Sequence, residues 1–230
     1  MPTFWRGGAN DFQTALHDLI RDTLKAHQRL IFNGNGSEDA WVQEAEERGL
    51  SNLKCTADAL GRYLQPKHID LFQKHGVFTE EELTARNEIH LENYCEVIGI
   101  EARTMVGMVR KKIFPAVSAF SGNLASTIAA KKSVIGDLDC AAEESLLRKV
   151  TALLGQIAQE NSALEAALAG DPGKDAYEAA HYYRYTVFAA MEQLRSSVDT
   201  LESLVAADYW PLPSYTDLLF SIKYPFSFPA

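Results

Sequence analysis

The residues that first suggest chemistry are two consecutive Asn-Gly pairs, Asn33-Gly34-Asn35-Gly36, which stand before an acidic helical stretch. Glycines ahead of a helix N-terminus can hold phosphate, because free backbone N–H groups point at the anion. No Lys-Ser/Thr pair follows as in a Walker loop, and Asp39 stands where a dinucleotide fingerprint has glycine. Because Glu38 and Asp39 already supply negative charge at the helix start, the sequence favours a turn, with an anion site as the alternative.

A metal site is the second candidate, because Glu178-Ala179-Ala180-His181 has the Glu-x-x-His spacing of di-iron helix bundles. Such a site needs two of these motifs and two further glutamates. None of the other five histidines has a glutamate three residues before it. A di-metal helical-bundle enzyme is therefore the weaker alternative, and no metal ligand is assigned.

Nucleophilic catalysis finds little support in the sequence. His90 lies five residues before Cys95, off the same helical face, and the chain has no Gly-x-Ser-x-Gly elbow. An aromatic cluster on one predicted helix is interpreted as core packing or a subunit contact rather than a cofactor pocket. Its members are Tyr182, Tyr183, Tyr185 and Phe188. The residues thus assign no catalytic, cofactor-binding or metal-binding position.

The elements that must position these side chains are helices, since apolar residues recur every three or four positions and no β pattern appears. The predicted class is all-α, with long antiparallel helices, short N-terminal helices and an irregular C-terminal tail. The predicted organisation is a disordered leader at 1–10, a helical segment at 11–98, a long-helix bundle at 99–208 and an aromatic, proline-rich tail at 209–230. The bundle includes a hairpin at 138–208.

Local signals set the predicted helix boundaries. N-caps are expected at Asn10, Ser37 and Thr79, the last in a capping box with Glu82. Pro66 fits the first turn of a helix, and Gly49 and Gly76 fit left-handed stops.

Two features shape the predicted long helices. The stretch Gly170-Asp171-Pro172-Gly173 predicts a turn between helices at about Leu138–Ala169 and Lys174–Asp208. Pro115 falls inside a third helical pattern, so a kink or a break is expected between Lys111 and Pro115.

Composition narrows the function classes. The chain has 230 residues, 47% of them hydrophobic, and a net charge of -9, which disfavours nucleic acid as a partner. No segment approaches the roughly 20 apolar residues of a membrane span, so no membrane association is expected. Three cysteines without a CxxC pair suggest free thiols and a cytoplasmic protein.

Several blocks of the chain resemble the C-terminal part of type III glutamine synthetase. They are HQRLIFNGNG, AWVQEAEERGLSNLK, LFQKHGVFTEEELTARNEIHLENYCEVIGIEARTM, IFPAV and WPLPSYTDLLF, in an order and spacing that match from about Asp11 to Phe220. The family has a tyrosine just after the Asn-Gly turn where this chain has Ser37-Glu38.

The resemblance implies a helical region that follows the catalytic domain of an ATP-dependent glutamate–ammonia ligase. That enzyme uses divalent metal, Mg or Mn, and assembles as stacked hexameric rings. The family's metal-binding, ATP-binding and arginine motifs would lie upstream, so no cofactor and no catalytic residue is carried over to this chain. The resemblance predicts a detached or truncated non-catalytic portion with a structural role, whose partners are the catalytic domain and further copies. A free-standing adaptor or regulator of the synthetase is the alternative.

Overall fold

The computed structural model describes residues 9–220, apart from the side chains of Ala9 and Asn10. The chain divides into two compact units after Lys54. We call the described parts the N-terminal unit, 9–54, and the bundle unit, 55–220. The described residues contain no β-strand, which confirms the all-α prediction. Most of the predicted leader and the second half of the predicted tail, from residue 221, lie outside the described residues.

The N-terminal unit contains two helices joined by a loop with a short 3-10 turn. They are α1 (Ala9–Ala26) and α2 (Asp39–Glu47), with the 3-10 turn at Gln28–Leu30. The prediction of Asn10 as an N-cap is wrong, because α1 already includes Ala9, a strong helix former. The N-cap of α2 is Glu38 rather than the predicted Ser37. The side chain of Asn35 accepts the Ser37 N–H and holds Ser37 in the preceding turn.

The bundle unit contains the other eight described helices, and one-turn π segments join two pairs of them end to end. The helices are α3 (Thr56–Tyr63), α4 (Pro66–Lys74), α5 (Glu80–Met108), α6 (Phe114–Val134), α7 (Ala141–Leu168), α8 (Ala176–Tyr182), α9 (Phe188–Glu202) and α10 (Tyr215–Leu219). The π segments are Val109–Ile113, between α5 and α6, and Tyr183–Val187, between α8 and α9.

Three rods form the body of the bundle unit. The first rod runs from Glu80 to Val134, the second is α7, and the third runs from Ala176 to Glu202. Arg110 pairs with Glu165 and Lys131 with Glu143, so the first and second rods are antiparallel. Gln156 bonds to Ser197, at 3.1 Å, while Tyr182 reaches the Ala167 carbonyl, so the second and third rods are antiparallel as well.

The core lies along the seam of the three rods, and the apolar spacing in the sequence explains it. Side chains at helical intervals on each rod turn inward, and Val117, Ile157 and Leu194 are completely buried. The other buried members are Ile98, Ala102, Val106, Val109, Ile113, Phe120, Val150, Leu164, Val187, Met191, Val198, Leu201 and Val205. The predicted hairpin is present, although α7 begins at Ala141 and the third rod ends at Glu202.

The π segment at Val109–Ile113 shows how the first rod tolerates Pro115. Proline lacks a backbone N–H and its ring clashes with the preceding turn of an α-helix. The Phe114 N–H donates to the Val109 carbonyl, five residues back, so the widened turn precedes the proline. The helix therefore continues from Glu80 to Val134 without the break that one reading of the sequence expected.

Most of the predicted local signals are confirmed. Thr79 and Glu82 form the predicted capping box, and Pro66 opens α4. Gly49 and Gly76 adopt positive φ, +74° and +61°, at the ends of their helices.

The first rod also bears on the membrane prediction. By length and apolar composition, this 55-residue helix is capable of crossing a bilayer, although the sequence suggested no such segment. The core helix of a soluble protein meets the same criterion, so a single helix of this kind is weak evidence for a membrane protein. Only 22% of its apolar window is buried, which leaves most of that surface open in this chain.

Candidate functional site

The Asn-Gly loop of the N-terminal unit has the geometry of a turn. The Asn35 side chain accepts the Ser37 N–H at 3.1 Å and donates to Glu38 Oε1 at 3.0 Å. The ring of Phe32 lies against Gly34, where an added Cβ would be 2.6 Å from Phe32 Cζ, and it stacks on Trp41 at 4.2 Å. The loop side chains therefore bond to one another, and two acidic residues, Glu38 at the N-cap and Asp39 in the first turn, stand at the start of α2, which disfavours a phosphate there.

The Glu178–His181 pair does not converge on a shared point. Glu178 Oε2 accepts the backbone N–H of Lys174 at 2.8 Å and so closes the start of α8. His181 instead faces Asp58 on α3, with Nε2 3.7 Å from Oδ1. Within residues 9–220, no three His, Cys, Asp or Glu side chains are grouped so that they could hold a metal ion.

A polar cluster forms where α3 meets the third rod, and we call it the Asp58 cluster. Its members are Cys55, Asp58, Tyr177, His181 and Tyr185. The Tyr185 hydroxyl lies 2.9 and 2.8 Å from the two Asp58 carboxylate oxygens, to which it donates. The His181 ring lies between two aromatic rings, with centroids 4.4 Å from Tyr177 and 5.4 Å from Tyr185.

The electrostatics of the Asp58 cluster follow from these contacts. The Tyr185 hydroxyl, helped by the Cys55 thiol, lowers the pKa of Asp58 below its ordinary value. The Asp58 carboxylate in turn raises the pKa of Tyr185 to about 12, because it holds the phenolic proton. A tyrosine with so high a pKa is a poor nucleophile and a poor base near neutral pH. The geometry thus suits a tie between helices better than a catalytic group.

The other candidate residues also have structural surroundings. Cys95 packs beside Ala57, Leu91 and Ala180, and burial raises the pKa of its thiol, which makes it less reactive. His90, the residue considered as its partner, is exposed.

The aromatic cluster contributes to packing, as the sequence suggested. Tyr182, Tyr183 and Phe188 pack on the main core, and the Tyr182 hydroxyl donates to the Ala167 carbonyl at 2.8 Å. Arg184 lies over the Phe188 ring at 4.6 Å. Tyr185 departs from this pattern, since it is 55% exposed and belongs to the Asp58 cluster.

Sequence reasoning missed the buried polar residues of the rods. Asn87, Glu160, Asn161 and Ser197 are all more than nine-tenths buried. Glu160 follows Ile157 by three residues and precedes Leu164 by four, so it occupies a core position of the α7 stripe. A charged residue at an apolar position of the stripe was therefore the sequence signal that could have predicted the burial of Glu160.

Comparison with known proteins identifies the family. The model of the glutamine synthetase C-terminal domain matches residues 15–132. The glutamine synthetase of Butyrivibrio fibrisolvens is 37% identical over 215 residues, which are 93% of this chain and 31% of that protein. The type-3 glutamine synthetase of Dictyostelium discoideum is 30% identical over 213 residues, 90% of this chain and 29% of that protein.

A third relative gives the same proportions. The glutamine synthetase of Bacteroides fragilis strain YCH46 is 26% identical over 212 residues, 90% of this chain and 29% of that protein. The chain therefore spans about 30% of the length of these curated relatives. The match of the domain model to half of the sequence, together with these relatives, shows that the chain belongs to the glutamine synthetase C-terminal domain family.

Proposed function

We propose that this chain is the C-terminal, non-catalytic helical portion of a type III glutamine synthetase, and that it packs against the catalytic part and supports homo-oligomeric assembly. The observation that carries the proposal is the proportion of the match: nine-tenths of this chain aligns with about three-tenths of each relative. ATP, Mg or Mn and the glutamate–ammonia ligase reaction would belong to the catalytic part, and the assembly would be cytoplasmic.

The N-terminal unit supplies one surface for such packing. Along α1, Leu16, Leu19, Ile20 and Leu24 are 37–52% exposed and share one face of the helix. Apolar surface gains about 25 cal/mol for each Å² removed from water, so this face favours contact with another surface. In the full enzyme we assign that contact to the catalytic part, because α1 lies at the upstream end of the matched region.

The end of the bundle unit supplies a second surface. Four apolar or aromatic residues there are 60–85% exposed: Tyr215, Leu218, Leu219 and Phe220. The first three belong to one short helix, α10. Contiguous apolar patches of this kind mark interaction sites in soluble proteins. We assign this patch to contacts made during assembly.

A co-purification experiment tests the first surface. The upstream part of the Butyrivibrio fibrisolvens enzyme would be expressed together with this chain, and the complex captured through a tag on the upstream part. We expect co-purification of the unmodified chain and an Ile20→Glu variant that is captured at least about tenfold less, because a buried charge without a partner is costly. Lys25→Gln, which changes the net charge by the same amount on the opposite face of α1, is the matched control. Equal capture of all three chains would overturn the assignment of α1.

A second candidate function is a free-standing adaptor or regulator that enters synthetase assemblies. The self-contained core of the bundle unit favours it, because the three rods bury their stripes on one another. Mixing the chain with a full-length glutamine synthetase from one of the relatives distinguishes the adaptor from the non-catalytic portion. An adaptor would co-elute with the intact enzyme and change its rate, whereas the portion proposed above would find its binding surface already occupied.

A further inference from the structure

Glu160 is a carboxylate in an unusual position, on the buried side of α7 where the second and third rods meet. Only 8% of the residue is exposed. Its Oε1 accepts from the side-chain amides of Gln156 at 2.9 Å and Gln193 at 3.4 Å. Its Oε2 is shielded from solvent and has no hydrogen-bond partner among residues 9–220. One of the two carboxylate oxygens is therefore unsatisfied.

No positive charge compensates this group within the described residues. None of the ion pairs formed by residues 9–220 includes Glu160, and its bonding partners are neutral amides. Carboxylates that are this deeply buried are ordinarily paired with a cation, since removal from water disfavours the charged form. A cationic group from outside the described part of the chain would supply the partner that Glu160 lacks.

The groups around Glu160 determine what chemistry that partner needs. Gln156 Nε2 donates to Glu160 Oε1 and, at 3.1 Å, to the Ser197 hydroxyl oxygen. The oxygen of the same side-chain amide is left as an acceptor. Gln193 likewise donates to Glu160 through nitrogen and keeps its carbonyl oxygen. The site thus offers three acceptor oxygens, one of them on a carboxylate, and this set selects a hydrogen-bonding cation.

A cleft at the same place gives room for such a group. It has a volume of about 290 Å³ and is lined by Glu160, three glutamines and two alanines. The glutamines are Gln156, Gln159 and Gln193, and the alanines are Ala163 and Ala190. Ala163 lies on the second rod and Ala190 on the third. Because both side chains are short, the space between these two rods stays open.

We propose that this cleft binds an organic cation, a guanidinium or primary ammonium group, through Glu160 with Gln156 and Gln193 as the flanking acceptors. The cation is either a free small molecule or the basic side chain of another polypeptide, since both present the same head group. Guanidinium suits the site well, because its planar N–H donors bond a carboxylate and adjacent carbonyl oxygens at the same time.

Calorimetric titration of the full chain with N-acetylarginine amide at low salt tests the proposal. We expect one site per chain with a dissociation constant in the millimolar range, and at least about tenfold weaker binding of N-acetylcitrulline amide, its neutral isostere. Glu160→Gln should weaken binding of the arginine compound by a similar factor. Glu165→Gln removes the same charge from the same helix at the surface and should leave binding unchanged.

A second variant keeps the test decisive if Glu160→Gln fails to fold. Gln193→Met retains the length of the side chain and the Glu160 charge but removes one acceptor, and it should weaken binding about threefold or more. Equal binding of the arginine and citrulline compounds, or unchanged binding by both Glu160→Gln and Gln193→Met, would overturn the proposal. Tighter binding of a short peptide that carries the same arginine would support it and identify a polypeptide as the source of the cation.

Discussion

The two units of the chain have the same apolar periodicity but use it differently. In the bundle unit the stripes of three rods meet and bury residues such as Ile157 and Leu194 completely. In the N-terminal unit no residue from 11 to 54 is buried, although α1 has a comparable stripe. Periodicity thus predicts which face of a helix is apolar, whereas the core forms only where other helices supply matching faces.

The largest expected effect contrasts the same substitution in the two units. Leu194→Ala removes a completely buried side chain and should lower the free energy of unfolding by about 2–5 kcal/mol. Leu19→Ala, at a residue that is 51% exposed, should change it by less than about 0.5 kcal/mol. Urea unfolding followed by circular dichroism measures both values. Equal losses would show that the α1 stripe is part of a core.

A smaller effect is expected at the start of the first rod. The Thr79 hydroxyl accepts the Glu82 N–H at 3.2 Å, and Glu82 accepts the Thr79 N–H in return. Thr79→Ala should therefore cost the bundle unit about 1 kcal/mol, while Thr79→Ser retains the hydroxyl and should cost much less. The same urea experiment measures both variants. An unchanged midpoint for Thr79→Ala would show that this end of the rod frays locally when the cap is lost, without changing the free energy of global unfolding.

The features that sequence predicted correctly depend on neighbours in the chain. The capping box needs only Thr79 and Glu82, and the stops at Gly49 and Gly76 need only a backbone conformation that glycine favours. Helical stripes are local in the same sense, which is why the all-α class and the hairpin were predictable.

The features that sequence missed depend on residues distant in the chain. Asp58 and Tyr185 are separated by 127 positions, so no spacing rule connects them. The Glu-x-x-His pattern drew attention to His181 but gave it the wrong companion, because Glu178 closes its own helix turn. The π turn before Pro115 is a local feature and was missed for a different reason, because a helix can relieve a proline by widening as well as by breaking.

Glycine substitutions sharpen the comparison of the units further. Gly155 lies in α7, where an added Cβ meets, apart from the backbone of its own helix, no atom of the described residues within 4 Å, so Gly155→Ala should stabilise the bundle unit by about 0.4–1 kcal/mol. Gly36 is equally open but lies in the loop of the N-terminal unit. Gly36→Ala should leave the main unfolding midpoint unchanged. A shift of equal size from both variants would show that the two units unfold as one.

The smallest expected effect concerns the Asp58 cluster, an exposed polar tie within the unit that has the buried core. The folded protein raises the pKa of Tyr185 to about 12, so the tie contributes stability below the ordinary tyrosine value near 10 and loses it as pH rises towards 12. The pKa of Asp58 is lowered, so its contribution is present above the ordinary value of 3.8 and is lost as pH falls below it. The tie is therefore intact across the neutral range.

Ultraviolet titration of tyrosinate measures the upper limit of this range. Among the nine tyrosines of the unmodified chain we expect Tyr185 to ionise late, near pH 12, and Tyr94, whose pKa is raised by burial, to ionise above the ordinary tyrosine value as well. Tyr185→Phe should remove the late step near pH 12, and Asp58→Asn should move it to lower pH, because the carboxylate that retains the phenolic proton is gone. Tyr215→Phe removes a tyrosine that is 85% exposed and should leave the late step in place. If the late step survives Asp58→Asn unchanged, the carboxylate does not hold the proton, and the contact between α3 and the third rod rests on its other contacts, among them the apolar packing around Ala57 and Ala180.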